Sequence, residues 1–462
     1  MTSVTSVTTA TILTHKPRIA VIGGGWAGCA AAVALAGAGQ SVTLFEAART
    51  LGGRARAVPV HGLNLDNGQH ILLGAYSATL AILKKVGIER DAAFLNMPLQ
   101  MRYPRVGMDT GMDAGMDFLA PRLPAPLHLA VALLRAKGLS RADKLSLARF
   151  STTARWMDWT LHHDCSVSEL LERFDQTARL TALMWRPLCL AALNTPPERA
   201  SAQVFLAVLR DSLGARRAAS DMLLPKLDLS ALFPQAAARF VEGRDGEVRL
   251  GAAVTSLMNT DAGWLVDGDG DAFAGVVLAV PPPAASRLMA PLRGTTMDAA
   301  PLLAQLDAFT FEAISTCYLQ YDPPLRLPLP FCALLDDPGR RRFGQFVFDR
   351  GQLDAAQAGL LAVVISACSG AAALDQAELA SALAAQLAAD FAMPEMAAPL
   401  WAQVITDKRA TFACTPALQR PANATTLPGL VLAGDYTAGE YPATLESAVR
   451  SGVAAARLLT AA

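Results

Sequence analysis

Residues 18–56 read RIAVIGGGWAGCAAAVALAGAGQSVTLFEAARTLGGRAR, and the order of features in this stretch decides the fold. Ile19 to Ile22 is a short apolar run ending in glycine, the pattern of a strand buried on both faces. Gly23-Gly24-Gly25-Trp26-Ala27-Gly28 then supplies Gly-x-Gly-x-x-Gly. Cys29 to Ala38 is small and apolar, which predicts a helix packed closely on a sheet. Val42 to Phe45 reads as a second strand and stops at Glu46. Strand, glycine turn, helix, strand and acid in this order predict a dinucleotide-binding βαβ unit. Gly23 permits the tight turn, Gly25 lets the backbone approach a pyrophosphate, and Gly28 lets helix and strand pack closely. Trp26 and Ala27 open the helix, where free N–H groups and a partial charge of roughly +0.5 favour phosphate. Glu46, eighteen residues past Gly28, stands near the usual place of a carboxylate that binds ribose hydroxyls.

Two further signals lie outward from this unit. Gly52-Gly53-Arg54 follows the acid and can bring more N–H donors and a cation to the same pyrophosphate. Far along the chain, residues 432–459 read LAGDYTAGEYPATLESAVRSGVAAARLL, where a strand-like run from Leu430 to Ala433 stops at Gly434-Asp435 and a helix pattern begins near Ala443. Taken alone, Asp435 reads as a helix cap. Between the two ends, Val248 to Leu250, Ala253 to Leu257, Trp264 to Val266 and Gly275 to Val280 read as strands and hairpins. There is no second Gly-x-Gly-x-x-Gly, so no dedicated NAD(P)H domain is expected.

These residues together resemble the flavoprotein superfamily of amine oxidases and carotenoid desaturases. The resemblance implies an α/β fold: a Rossmann-like FAD-binding domain assembled from residues 1–75, 235–290 and 425–462, with an α+β substrate domain from 76–234 and 291–424. It implies bound FAD, with Asp435, after Gly434, at the ribityl–phosphate portion. It places the N-terminus of the last helix (Ala443, Thr444, Leu445) at the flavin N1–C2=O edge, backbone contacts to adenine at Val254, and Gly68-Gln69-His70 near the flavin. Met184 to Phe233, Leu65 to Tyr76 and Arg341 to Gly351 look like the squalene-associated branch, the hydroxysqualene dehydroxylases of bacterial hopanoid pathways. That branch implies reductive loss of an allylic hydroxyl from a linear triterpene, hydroxysqualene, by hydride from reduced flavin, and an external electron donor. A proton donor is then needed, and His70 and Asp221 are the candidates, Asp221 because its Ala-Ala-Ser and Met-Leu-Leu neighbours suggest an apolar setting. Their bland readings are a core histidine and a helix cap. Asn194 and Tyr441 could orient the hydroxyl or flank the flavin. Competing readings are a carotenoid-type desaturase, an amine oxidase, or a non-catalytic escort of prenylated partners. Aromatic content of 6% leaves few residues for an amine oxidase cage, and the flavin set argues against the escort.

Composition bounds the rest. The 462 residues carry 40 Lys+Arg and 40 Asp+Glu, a balance that argues against a nucleic-acid footprint. The seven cysteines form no Cys-x-x-Cys pair, so no metal centre is expected, and His162-His163-Asp164-Cys165 lacks a spaced third ligand. Residues 1–18 lack the basic start and apolar core of a signal peptide. Gly107 to Asp117, a four-residue repeat of Gly-Met-Asp, reads as a surface loop. No uncharged apolar run reaches the roughly 18–20 residues of a membrane span. Phe118 to Ala142 is apolar and basic and holds no acid. It is either core or a contact with an anionic membrane surface, which predicts a cytoplasmic protein held peripherally on the inner face of the cell membrane.

Overall fold

Strands that are apolar on both faces need cover on both faces, and that requirement sets the first layer. The computed structural model describes residues 17–461 except 106–114, 269, 271, 293–298 and 369–373. Residues 1–16 and most of the Gly-Met-Asp repeat therefore lie outside the described residues. Arg18–Ile22 sits at the centre of a five-stranded parallel sheet, pairing Val21 with Leu44 of Ser41–Glu46 on one side and with Val277 of Gly275–Leu278 on the other. Glu247–Leu250 extends one edge and Leu430–Leu432 the other. Three separated chain segments thus make one sheet.

The helix Trp26–Gly37 is buried on almost every side, as an apolar, Ala-rich sequence demands. It packs against the last helix, Leu445–Thr460, backbone to backbone. A Cβ on Gly452 would lie 2.1 Å from the carbonyl oxygen of Ala27, and one on Gly28 would lie 1.8 Å from that of Gly23. The last helix is also fixed from outside the sheet. Buried Glu446 accepts hydrogen bonds from Ala78 and Thr79 N–H and from the Thr79 hydroxyl at the start of the helix Ser77–Lys85. The apolar layer on this side runs on through Ile82, Leu83, Phe94, Leu223 and Leu232, so it continues past residue 75 and begins again before 235.

One sequence expectation is corrected here. Ala253 to Leu257 is not a strand. The backbone N–H groups of Thr255 and Ser256 are taken by the Asp267 side chain, at 2.8 and 2.7 Å, and the strand starts only at Leu257–Thr260, antiparallel to Gly263–Val266. The last helix begins at Leu445, with Thr444 as N-cap in a reciprocal pair of bonds with Ser447.

The second layer is an antiparallel sheet ordered Phe331–Ala333, Phe346–Asp349, Leu360–Ser366, Phe311–Gln320, Trp401–Phe412. Alternation sorts its side chains. Val347 and Val363 pack under the helix Gln376–Phe391 with Leu379, Leu383 and Leu387, while Phe346, Phe348 and Val364 face the interior of the molecule. The helices Leu127–Arg135, Arg141–Trp156, Arg186–Leu193 and Ala202–Leu209 close the space opposite that phenylalanine-rich face.

Candidate functional site

One continuous cavity of about 1190 Å³ runs from the glycine turn into this interior. Single small-molecule sites typically occupy roughly 300–1,000 Å³, so the volume suits a cofactor and a substrate together. Its first end is a polar cradle. Gly25 caps the helix Trp26–Gly37 without a side-chain bond, and no acid lies in the first turn, which leaves the N–H groups of the first turn for a ligand. The turn containing Gly52 and Gly53 lies against it: Gly52 N–H donates to Gly24 O at 2.8 Å, and an added Cβ on Gly53 would stand 3.1 Å from the Gly25 Cα. Space before Gly25 itself is open, since a Cβ there would meet nothing nearer than 4.0 Å. Glu46 is held by Gly24 N–H at 2.7 Å and Ala48 N–H at 2.8 Å, and each carboxylate oxygen keeps a lone pair for hydroxyls. Val254 lines the same end, in the loop that Asp267 holds extended.

The middle of the cavity joins the two ends of the chain. Arg54 Nη2 pairs with Asp435 Oδ1 at 2.7 Å, and its Nη1 donates to Ala410 O at 2.7 Å. Burial works against the Arg54 charge, but Asp435 outweighs it and raises the guanidinium above its ordinary value. Gly434 N–H donates to Ser451 Oγ at 2.9 Å, which sets the strand end against the last helix. The Tyr436 hydroxyl, in the cavity wall, is buried with no hydrogen-bond partner. Ala443, Thr444 and Leu445 line the wall where the last helix starts. An open glycine cradle, an uncapped helix N-terminus, a fixed acid and an orphaned buried hydroxyl fit an extended ligand bearing phosphates and hydroxyls, as FAD is.

Gly68, Gln69 and His70 form the adjoining wall. Gln69 is tied to the Tyr318 hydroxyl at 2.7 Å and to Arg350 at 3.2 Å. His70 Nδ1 lies 2.9 Å from Gly68 O, so that nitrogen carries the proton. Burial, with the Arg54 charge adding and the Gly68 bond opposing, holds the imidazole below its ordinary value. A neutral ring with its one proton committed can accept a hydrogen bond at Nε2 but cannot donate one there. Asp221 does not line the cavity, although Ser220 and Met222 do. Its carboxylate pairs with Arg217 at 2.8 Å, so the apolar setting read from its neighbours is absent and this proton-donor expectation is corrected. Asn194 reaches the cavity, yet its side chain bonds Thr411 Oγ1 at 2.8 Å and Ala367 N–H at 2.7 Å, a structural tie between layers. Asp164 is likewise spent, on Ser201 and Gln203, and no metal-binding group of three such side chains occurs among the described residues.

Tyr441 is joined by a residue that sequence reasoning did not single out. Its hydroxyl donates to Asp211 Oδ2, and both line the cavity. Burial pushes Asp211 up, but hydrogen bonds from Arg210 and Tyr441 and the Arg210 charge outweigh it and hold the carboxyl below its ordinary value. Nothing local marks Asp211 in the sequence; it pairs with a tyrosine 230 positions away.

Beyond these groups the cavity turns apolar. Leu129, Leu133, Phe150, Trp159, Phe346 and Phe348 are among its walls.

A family model described as flavin containing amine oxidoreductase matches residues 26–460. Curated relatives named hydroxysqualene dehydroxylase match over 96% of this chain and 98% of their own length: one from Rhodopseudomonas palustris at 30% identity and one from Sinorhizobium fredii at 29%. A zeta-carotene desaturase of Zea mays matches at 34% over only 28% of this chain and 22% of its own. Among solved structures, a redesigned putrescine oxidase superposes with a TM-score of 0.72 at 18% identity, covering 96% of this chain and 99% of that one.

Proposed function

The chain belongs to the flavin-containing amine oxidoreductase family, as an FAD-dependent oxidoreductase, and from that premise we propose that it removes the hydroxyl of hydroxysqualene reductively to give squalene. The observation that carries the reading is the continuity of the cavity: the flavin cradle opens into a chamber walled by leucines, phenylalanines and tryptophan. Full-length similarity to relatives of that name supports it.

In this reaction the allylic C–O bond breaks, a C–H bond forms, and the oxygen leaves as water after gaining one proton. FAD, once bound and reduced by an external donor, would supply the hydride. Asp435 and Arg54 would hold its ribityl–phosphate portion, Glu46 the ribose and Val254 the adenine, with the N-terminus of the last helix at the flavin end. The walls exclude water, which keeps a developing allylic cation from capture. His70 Nε2 accepts from the substrate hydroxyl and orients it. Ionised Asp211 offers a negative charge to the cation, and the Tyr441 hydroxyl, whose one proton is committed to Asp211, fixes that carboxylate in the cavity wall.

The test is anaerobic incubation of dithionite-reduced protein with hydroxysqualene and product analysis by mass. Squalene in amounts matching flavin oxidation supports the reading, and flavin that stays reduced with substrate unchanged refutes it. A carotenoid-type desaturation is the second reading, favoured by the local match to zeta-carotene desaturase. It requires the opposite outcome, reduction of oxidised flavin by a polyene precursor.

A further inference from the structure

The apolar end of the cavity opens between two helices whose outer faces are greasy. Exposed lining residues occur in more than one place, among them Ala253, Thr255 and Arg287, and at the apolar end they include Pro126, Ala130, Thr152 and Arg155, which mark a mouth there. On Leu127–Arg135, Leu127, Ala130 and Leu134 follow i, i+3, i+7 spacing and share one face. On Arg141–Trp156, Leu145, Thr152 and Trp156 share a face by the same rule. Each face therefore has a mouth residue flanked by large apolar side chains. Those flanks are solvent-facing, with Leu127 at 55% exposure, Leu134 at 75%, Leu145 at 64% and Trp156 at 88%. Four such side chains around one opening are more than scattered surface hydrophobes require.

Charge singles out the partner. From Phe118 to Met157 the chain holds seven Lys and Arg and one acid, Asp143. Asp143 is buried in the cap of the second helix, bound by Ser140 and Thr177. Asp158, the next acid, lies past the helix end. Arg122, Arg135 and Lys137 line a shallow pocket beside the first helix; the one carboxylate there, Asp117, is taken by Arg102 at 2.7 Å.

We propose that this face docks on an anionic lipid bilayer, with Leu127, Leu134, Leu145 and Trp156 inserted, the cations at the headgroup level and the cavity mouth open to the acyl layer. Amphipathic faces with basic flanks bind such surfaces. The proposal rests on the lipid-substrate reading and adds its entry route. It also divides the segment from Phe118 to Ala142: Phe118, Leu129 and Leu133 are cavity wall, while Leu127 and Leu134 are surface.

The test compares FAD-loaded wild type with a Leu134→Glu/Trp156→Glu variant. Both side chains are exposed and outside the cavity, so folding and flavin absorbance should not change. Flotation with vesicles of phosphatidylcholine, with and without phosphatidylglycerol, should capture wild type only on the anionic ones, and the variant roughly tenfold less. With hydroxysqualene in the vesicles the variant should turn over about tenfold more slowly, and in detergent micelles within about twofold of wild type. Wild type that ignores anionic vesicles, a variant that floats equally, or a wild-type dimer that the substitutions dissociate overturns the proposal. Flotation as expected with no turnover in either format counts against the reaction and supports the docking.

Discussion

Asp66 provides a quantitative check on the architecture beneath the cavity floor. It is 4% exposed and its carboxylate receives one backbone bond, from Leu229 N–H at 2.8 Å. Burial is the main cause that raises its pKa to about 7 from 3.8, with the Leu229 bond and the Arg350 charge opposing. The folded value exceeds the unfolded one, so the contribution is fully present below pH ~4 and is lost as pH rises through about 7. The difference of roughly 3 units corresponds to about 4 kcal/mol at 1.36 kcal/mol per unit, of which about 2 kcal/mol falls between pH 5.5 and 8. Asn at this position imitates the protonated acid and keeps an acceptor for Leu229. Asp66→Asn should therefore gain about 2 kcal/mol on wild type as pH rises from 5.5 to 8. Urea unfolding of both proteins in the same excess of FAD measures this, because bound ligand stabilises the two alike. A difference that stays flat with pH, or a variant that loses ground at pH 8, refutes the reasoning.

Other expectations follow from single contacts. Asp435→Ala should weaken FAD binding roughly 10- to 150-fold, because it strips Arg54 of its buried carboxylate at about 1.5–3 kcal/mol; Glu46→Gln, which disturbs partly exposed bonds, should weaken it less, and FAD titration of the two apo proteins gives the order. Gly28→Ala and Gly452→Ala place a Cβ against backbone oxygens and should each lower stability by about 2–3 kcal/mol with loss of yellow colour, whereas Gly439→Ala, with nothing within 4 Å, should be neutral in thermal unfolding. Tyr441→Phe, which removes the hydroxyl that holds Asp211, should reduce hydroxysqualene turnover about tenfold and leave FAD affinity unchanged, as read by single-turnover flavin oxidation.

The cofactor cradle was legible in the sequence because it is built from backbone. Gly23, Gly25, Gly28, Gly52 and Gly53 are needed for turns and close approaches, and only one residue type meets that need, so the pattern survives in one dimension. The chamber was not legible, because its walls come from residues as far apart as Leu129 and Phe348 and any apolar side chain can serve in them. Asp211 was invisible for a related reason: it is one acid among 40, and its partner arrives by topology. Asp221 was misread because its partner Arg217 reaches it through a short turn, Arg217–Ala219, that the residues around it do not signal. Ala253 to Leu257 has strand composition, but the Asp267 side chain took its N–H groups before a partner strand could.

The cradle is also where the fold closes. Arg54 comes from the first segment of the sheet and Asp435 from the last, and the two meet only if Leu430–Leu432 has paired with Gly275–Leu278. A ligand that touches Gly25, Glu46, Val254 and Asp435 at once therefore bridges three chain segments that are joined elsewhere by parallel strands and a glycine-packed pair of helices. Bound FAD should stabilise the folded chain by RT ln(1 + [FAD]/Kd), about 4 kcal/mol at a thousandfold excess over Kd. The chamber depends on that closure as well, because Asn194 in its wall bonds Thr411 of the second sheet and Ala367 just past the strand Leu360–Ser366, and the strand carrying Thr411 also carries Ala410, the carbonyl that holds Arg54. Cofactor affinity and the shape of the substrate chamber are thus set by overlapping contacts, and a substitution at Asn194 should register in both.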